Sequence, residues 1–156
     1  NEGEDFCDVQ LPAHIEPLFL KTVKTLFWVT KDSPLFEKQA IRAEDIEECT
    51  LLLGASQNMV AAGSTIRHRL EKEGAVIGVD CCPFNSYFEY FVSGTRDSFG
   101  ITHEVSLPMR PGVRVFAIEG ITFLSDLYVL TRVDDAQKGM HPFFGALKDS
   151  LLQSFV

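Results

Sequence analysis

The fold predicted from this sequence is decided by one stretch, Leu51 to Gly74, which reads LLLGASQNMVAAGSTIRHRLEKEG. The short apolar run at its start, closed by Gly54, is typical of a buried strand. Apolar residues then recur at helical spacing up to the stop signal Gly74, at Met59, Ala62, Ile66 and Leu70. A helix that begins directly after a buried strand presents free backbone N–H groups at the strand's carboxyl edge. This edge is therefore predicted to be the ligand-facing corner, suited to a small anion.

Short polar side chains lie between this strand and this helix, at Ser56, Gln57 and Asn58. Further along the helix, Arg67 and Arg69 stand close to acidic residues. A solvated face of mixed charge is the preferred interpretation of these arginines, ahead of a phosphate-binding patch.

The bulk composition limits the classes of function. The chain has 156 residues and 46% hydrophobic residues, which is enough for one domain with a core, or for a small domain and part of another. Its formal net charge is −8 and its basic residues are scattered. A nucleic-acid-binding surface on this chain is disfavoured, because phosphate binding needs clustered Lys and Arg.

The cysteines indicate no metal centre. There are four, and Cys81 and Cys82 are adjacent, which is poor spacing for a tetrahedral zinc site; no CxxC is present. A redox role for the adjacent pair is open, but buried small hydrophobic residues are the default. No signal-like segment and no apolar run of about 20 residues is found, so a cytoplasmic protein with reduced thiols is expected.

The remaining pattern alternates strands and helices, which favours α/β packing with partly parallel strands. A loop is predicted over Pro12–Pro17. The predicted strands are Phe6–Leu11, Val23–Thr30, Ala75–Val79, Gly100–Leu107, Val113–Ile118 and Leu127–Val133. The predicted helical segments are Ala43–Cys49, Tyr87–Ser93 with the capping box Ser86–Glu89, and a C-terminal helix from Pro142 with an apolar stripe at Phe144, Leu147, Leu151 and Phe155.

Motifs of catalysis are sparse. The sequence contains no HExxH, GxSxG, Walker loop or GxGxxG. His103 and Glu104 could act as an acid/base pair, but neighbours on a strand point to opposite faces, so an exposed strand is preferred. A Cys–His pair is not ruled out, since sequence cannot show which cysteine lies near which histidine. Binding without a cofactor is favoured over catalysis.

Several stretches resemble the effector-binding domain of LysR-type transcriptional regulators, and together they cover most of residues 5–155. The stretches are LFWVTKDSPL (26–35), IRAEDIEECTLLLG (41–54), KEGAVIGVDCCPFNSYFEYFVSG (72–94), LSDLYVLTRVDDA (124–136) and the helix from Pro142. Two details depart from the family pattern. Ser33 stands where the family usually has His, and TRDSFGIT follows Gly94 instead of the usual glycine-rich turn.

The resemblance implies a periplasmic-binding-protein-like (type 2) α/β fold of two lobes, truncated at its N-terminal side, with one lobe complete and one partial. Residues 1–30 would form part of the first lobe and a crossover strand, residues 31–125 the second lobe, and residues 126–156 the return strand and last helix of the first lobe. The crossing strands would lie near Leu26–Thr30 and Leu127–Arg132. The partial lobe would leave an open sheet edge, which favours self-association.

The resemblance also implies a function. Two lobes would close on a small metabolite, with Ala55, Ser56, Gln57 and Asn58 as the second lobe's ligand contacts. A weaker set would follow the next strand, at Pro83, Phe84 and Asn85. The protein would be a homodimer or tetramer and would reach DNA only through an upstream domain. A solute-binding protein of the same fold, or a small α/β enzyme using His103 or a thiol, are the alternatives.

Overall fold

In the computed structural model, the structure describes residues 11–105 and 110–132, together with residues 146 and 149. The elements in chain order are β1 (Ile15–Thr30), a 3₁₀ helix (Ala43–Ile46), β2 (Thr50–Gly54), α1 (Gln57–Lys72), β3 (Gly78–Cys82), α2 (Tyr87–Val92), β4 (Ser98–His103), β5 (Val113–Phe116) and β6 (Phe123–Arg132).

The described strands form one six-stranded sheet in the order β3-β2-β4-β1-β5, and β6 also pairs with β1. Strand β2 runs parallel to β3 and to β4, whereas β1 is antiparallel to β4, β5 and β6. The predicted α/β class with partly parallel strands is therefore confirmed.

Helices α1 and α2 pack on opposite faces of the sheet. Leu51 and Leu53 of β2 lie in the larger core cluster with Ile66 and Leu70 of α1. Leu52, between them, belongs to a second cluster with residues of β1 and α2, namely Trp28 and Tyr90. This follows from strand geometry, since consecutive side chains point to opposite faces. One helix is thus needed on each side to bury β2.

Helix α1 approaches the sheet closely because residue 63 is a glycine. A Cβ atom at Gly63 would lie 2.2 Å from Cδ1 of Leu53, which is fully buried. The predicted apolar face of α1 therefore includes one position without a side chain. The helix ends where predicted, because Gly74 adopts a φ of 86°.

The first half of β1 and all of β6 form a two-stranded ribbon. Their register runs from Ile15 opposite Arg132 to Thr25 opposite Phe123, with an irregularity between Phe19 and Lys21. One face of the ribbon exposes large apolar side chains, at Phe19, Leu124, Tyr128 and Leu130. Of the two segments predicted to join the lobes, Leu26–Thr30 at the end of β1 pairs with β4 and β5, and Leu127–Arg132 in β6 pairs with the first half of β1.

Several predicted boundaries were wrong. The loop predicted over Pro12–Pro17 overlaps β1, which begins at Ile15, and β3 starts three residues later than predicted, at Gly78. Strand β5 is shorter than predicted, and both β4 and β6 begin before their predicted starts. The predictions for Phe6–Leu11 and for the apolar stripe of the C-terminal helix fall largely outside the described residues.

Candidate functional site

The two predicted ligand segments lie at one edge of the sheet. Strands β2 and β3 are parallel neighbours, and Gly54 at the end of β2 is in register with Cys82 at the end of β3. Residues 55–58 and 83–85 follow these two strand ends. The structure therefore brings both segments to the same carboxyl edge, where open α/β sheets bind their ligands.

The first segment forms the N-terminus of α1. The Ser56 hydroxyl accepts a hydrogen bond from the Met59 N–H at 3.4 Å, and the first intrahelical bond runs from Val60 N–H to the Ser56 carbonyl. The backbone N–H groups of Gln57 and Asn58 lie before these two donors in the chain and take no part in either bond. Ala55, Ser56, Gln57 and Asn58 are all exposed, and the first turn carries no acidic side chain. This helix end is open to a small polar or anionic molecule.

The second segment, residues 83–85, makes contacts with helix α2. The Glu89 carboxylate accepts a hydrogen bond from the Asn85 N–H at 2.8 Å, and the Ser86 hydroxyl accepts one from the Glu89 N–H at 3.2 Å. The predicted capping box therefore forms with one difference: the Glu89 carboxylate accepts from the backbone N–H of Asn85 and not from that of Ser86. Phe84 is half-buried and its ring lies 5.0 Å from that of Tyr90. Pro83 and Asn85 are exposed, so Phe84 packs chiefly against the core while its neighbours face outward.

Strands β2 and β4 separate at this edge. Their pairing runs from Thr50–Ser98 to Leu52–Gly100. Beyond that point β2 stays paired with β3 as far as Gly54, and β4 stays paired with β1 as far as His103. The ends of β2 and β4 are therefore not paired with each other, and we call the opening between them the crevice, with the turn at residues 55–58 on one side and His103 on the other.

His103 is half-buried, so the prediction of an exposed strand residue was wrong for it. Its Nδ1 atom is buried and has no hydrogen-bond partner among the described residues. Burial lowers the pKa of His103, which favours the neutral imidazole. Glu104 does not form an acid/base pair with it, because the Glu104 carboxylate accepts a hydrogen bond from the Lys24 N–H at 3.0 Å. His103 is therefore a neutral polar group at the crevice.

The cysteines at the end of β3 lack the features of a reactive pair. Burial and the neighbouring Asp80 carboxylate raise the pKa of Cys82, and burial raises that of Cys49. Both effects favour the thiol over the nucleophilic thiolate. Across residues 11–105 and 110–132, no group of three His, Cys, Asp or Glu side chains is placed to hold a metal ion. Nor is any helix in those ranges long and apolar enough to cross a membrane.

The basic side chains of α1 are held away from this edge. Arg67 pairs with Glu71 at 3.7 Å, as expected for a solvated face of mixed charge. Arg69 was misassigned to that face: it donates to the Thr122 carbonyl at 2.7 Å, and its guanidinium lies 4.5 Å from the centre of the Phe123 ring. Arg69 therefore binds α1 to the start of β6.

Because Tyr90, at the base of the crevice, is buried in its protonated form, the free energy of unfolding should fall at high pH. Burial raises the pKa of Tyr90 to about 12, from 10.0 for the free side chain. Above pH 10 the unfolded chain loses this proton while the folded chain keeps it, so the free energy of unfolding falls between pH 10 and 12. The expected loss at pH 11.5 is roughly 2 kcal/mol.

The check is urea unfolding at pH 9 and pH 11.5 of the parent and Tyr90→Phe, because other alkaline titrations cancel between them. The stability difference between the two proteins should shrink by this amount. An equal loss in both would contradict the expectation.

Neither a protein-family model nor a curated protein matches the chain. Solved structures do match. The regulatory domain of MexT, a transcriptional activator of Pseudomonas aeruginosa, is matched over 95% of this chain and 71% of its own, with a TM-score of 0.64 and 15% identity. The BenM effector-binding domain with its effector benzoate is matched over 94% of this chain and 68% of its own, with a TM-score of 0.61 and 12% identity.

The effector-binding domain of QuiR in complex with shikimate is matched over 80% of this chain. Its TM-score is 0.55 and its identity 17%, and only 58% of that domain is covered. The regulatory domain of MetR, a LysR-family regulator of N. meningitidis, shares 17% identity over 90% of this chain, with a TM-score of 0.56. The chain therefore has the fold of the regulatory domains of LysR-family regulators, which is periplasmic-binding-protein-like (type 2).

Proposed function

We propose that this chain is the effector-binding domain of a LysR-type transcriptional regulator and that it binds a small metabolite at the crevice edge. The observation that carries the proposal is the match to the MexT regulatory domain over 95% of the chain. Two matched domains contain their small molecules, benzoate in BenM and shikimate in QuiR. A fold alone does not fix a function, so the edge itself must supply the chemistry.

A small carboxylate is the proposed class of effector. Benzoate and shikimate both carry a carboxylate group. The N-terminus of α1 offers the amides of Gln57 and Asn58 without an acidic side chain in the first turn. Such a helix end attracts an anion by about 0.3–1 kcal/mol beyond the hydrogen bonds themselves. Because the chain as a whole carries a net charge of −8, the attraction for a carboxylate would come from this helix end and not from the overall charge.

The proposed contacts are those of the two segments. Ala55, Ser56, Gln57 and Asn58 would bind the carboxylate through backbone and side-chain donors. A weaker contribution would come from Pro83, Phe84 and Asn85. The neutral His103 adds one polar group on the other side of the crevice. Because it is half-buried, it would contact the part of the effector that enters furthest.

The proposal includes two lobes that close on the effector. Residues 31–125 would form the second lobe, and residues 1–30 and 126–156 would contribute to the first. The chain spans 71% of the MexT domain and 58% of the QuiR domain, so further parts of those domains have no counterpart in it. Closure would be favoured only if the effector binds the closed state better than the open one.

DNA would be contacted by another domain of the regulator, not by this chain. The supporting observation is that arginines outside α1 are also engaged in the structure. Arg114 donates to the carbonyls of Leu35 and Phe36 at 2.6 and 2.9 Å, and Arg42 lies 3.8 Å from Glu119. The regulator would act in the cytoplasm as a homodimer or tetramer, without a catalytic activity.

Binding of small carboxylates can be tested by thermal unfolding. A panel that begins with benzoate and shikimate should include a compound that raises the midpoint; a ligand at 100 times its Kd adds about 2.7 kcal/mol to the stability. Ser56→Ala should weaken binding about tenfold, because it removes one hydroxyl group near a charged ligand.

The matched control is Ser86→Ala. Both serines cap a helix through the same kind of bond, so each variant should lose about 1 kcal/mol of stability without ligand. Only Ser56→Ala should lose the ligand-dependent gain. If the best ligand stabilises both variants equally, the assignment of Ser56 is wrong. If no carboxylate stabilises the parent protein, the proposed effector class is wrong.

A further inference from the structure

The hydroxyl group of Tyr90 lies between the two strands that border the crevice. It donates a hydrogen bond to the Leu52 carbonyl of β2 at 2.7 Å and accepts one from the Ile101 N–H of β4 at 2.7 Å. In a parallel pair, these two backbone groups would bond to each other to extend the ladder beyond Leu52 and Gly100. A side chain of α2 thus satisfies both of them.

The two strands part at this hydroxyl group. The β2–β4 register ends at Leu52 and Gly100. The following residues keep other partners: Leu53 pairs with Cys81, and Ile101 pairs with Phe27. The hydroxyl group therefore lies at the base of the opening. Leu52, which it bonds on one side, is three residues before the start of the polar turn at Ala55, and Ile101, on the other side, is two residues before His103.

The Tyr90 ring is held firmly in place. Its side chain is only 7% exposed, and it packs at right angles against Trp28 with ring centres 5.1 Å apart. Phe84, which belongs to the segment after β3, lies 5.0 Å from it. An inserted group that is packed on two sides cannot easily withdraw, so the separation of the strands is built into the core.

We propose that Tyr90 is a positioning residue of the candidate site: its hydroxyl group keeps the carboxyl ends of β2 and β4 apart and so sets the width of the crevice. Tyr90 need not touch the effector. It would act through Leu52 and Ile101 on the turn at Ser56 and on His103. Only the description of the crevice as an effector site rests on the proposed function.

The test is nuclear magnetic resonance of the isotopically labelled chain without any ligand. The variant is Tyr90→Phe, which keeps the ring and removes the hydroxyl group. The matched control is Tyr87→Phe, in the same helix, where the side chain is 75% exposed. The measured quantities are the scalar coupling across a direct Ile101–Leu52 hydrogen bond and the amide chemical shifts of Ser56 and His103.

In the parent protein the direct coupling should be absent and the Tyr90 hydroxyl proton should exchange slowly. In Tyr90→Phe the two backbone groups are left to bond with each other, so the direct coupling should appear. The amides of Ser56 and His103 should then both shift further than in Tyr87→Phe. A purely structural role for Tyr90 would change shifts near α2 but not at these two amides.

Two results would overturn the proposal: a direct Ile101–Leu52 coupling in the parent protein, or shifts at Ser56 and His103 in Tyr90→Phe no larger than in the control. If Tyr90→Phe does not fold, the proposal is tested by the Ile101–Leu52 coupling measured in the parent protein. Absence of the direct coupling together with the slow hydroxyl proton supports the proposal. Because no ligand is used, a failed effector screen and a failed positioning role remain distinguishable.

Discussion

Replacing Gly100 by alanine should lower the free energy of unfolding by about 3 kcal/mol. A Cβ atom at this position would lie 2.2 Å from Nε1 of Trp28 and 2.3 Å from its Cε2. Trp28 is fully buried, and its ring lies 5.1 and 5.0 Å from those of Tyr90 and Phe91. Since the indole has no free space on either side, the methyl group can be accommodated only by shifting β4 or α2.

Urea unfolding followed by circular dichroism measures this loss. Gly54→Ala is the matched control, because a Cβ atom there would meet only Cγ of Met59, at an ordinary contact distance of 3.7 Å. The control should stay within about 0.5 kcal/mol of the parent. Equal losses in the two variants would show that Trp28 does not pack over Gly100.

Phe27→Ala should be at least as damaging, with an expected loss of about 4 kcal/mol. Phe27 is fully buried in the centre of β1, where its ring lies 5.4 to 5.9 Å from those of Phe99, Phe116 and Phe123. These three rings come from β4, β5 and β6. The residue therefore joins every antiparallel partner of β1, and its loss would leave a large cavity.

Phe19→Ala is the control for this prediction, because Phe19 lies on the same strand and is 46% exposed. Its loss of stability should be below about 1 kcal/mol. Both variants can be measured by thermal and urea unfolding under the same conditions. A comparable cost for Phe19 and Phe27 would mean that the ribbon face is as buried as the core.

Helix α1 was predictable because all of its signals are local. The short polar residues before the helix, the apolar spacing and the stop at Gly74 lie within one short stretch, and the structure places the helix at Gln57–Lys72. The strand before it was equally predictable, since three consecutive leucines require burial on both faces of a sheet.

Strand β3 shows what local signals miss. The apolar run from Ala75 predicted a strand, but Ala75 and Ile77 are buried as part of the connection that follows α1. The ladder begins only at Gly78, because its register is set by Thr50 on the neighbouring strand. Burial and pairing are different requirements, and the sequence pattern reports only burial.

The start of β1 was missed for a related reason. Pro17 favoured a loop, since proline cannot donate to a ladder. In the structure Pro17 lies opposite Leu130 in the ribbon, where β6 is its described strand neighbour. A proline is tolerated in a strand that is paired on one side, and the sequence cannot show how many neighbours a strand has.

The candidate site was predictable only in part. The polar turn after β2 and the segment after β3 were named from the sequence, and parallel pairing brings them to one edge. The Tyr90 hydroxyl between β2 and β4 was not foreseen, nor were the half-buried His103 and the contact of Arg69 with Phe123. Each depends on contacts between residues far apart in sequence, for which a single sequence carries no signal.

A titration of the ¹⁵N-labelled chain with benzoate and shikimate, followed at each backbone amide, locates the effector site directly. An effector site at the carboxyl edge of β2 and β3 predicts saturable shifts concentrated at the amides of Ser56, Gln57 and Asn58, with smaller changes at Asn85 and His103. Saturable shifts centred elsewhere, for example at the depression lined by Arg42, Glu73 and Glu119, would contradict it. So would the failure of these and every other small carboxylate to bind.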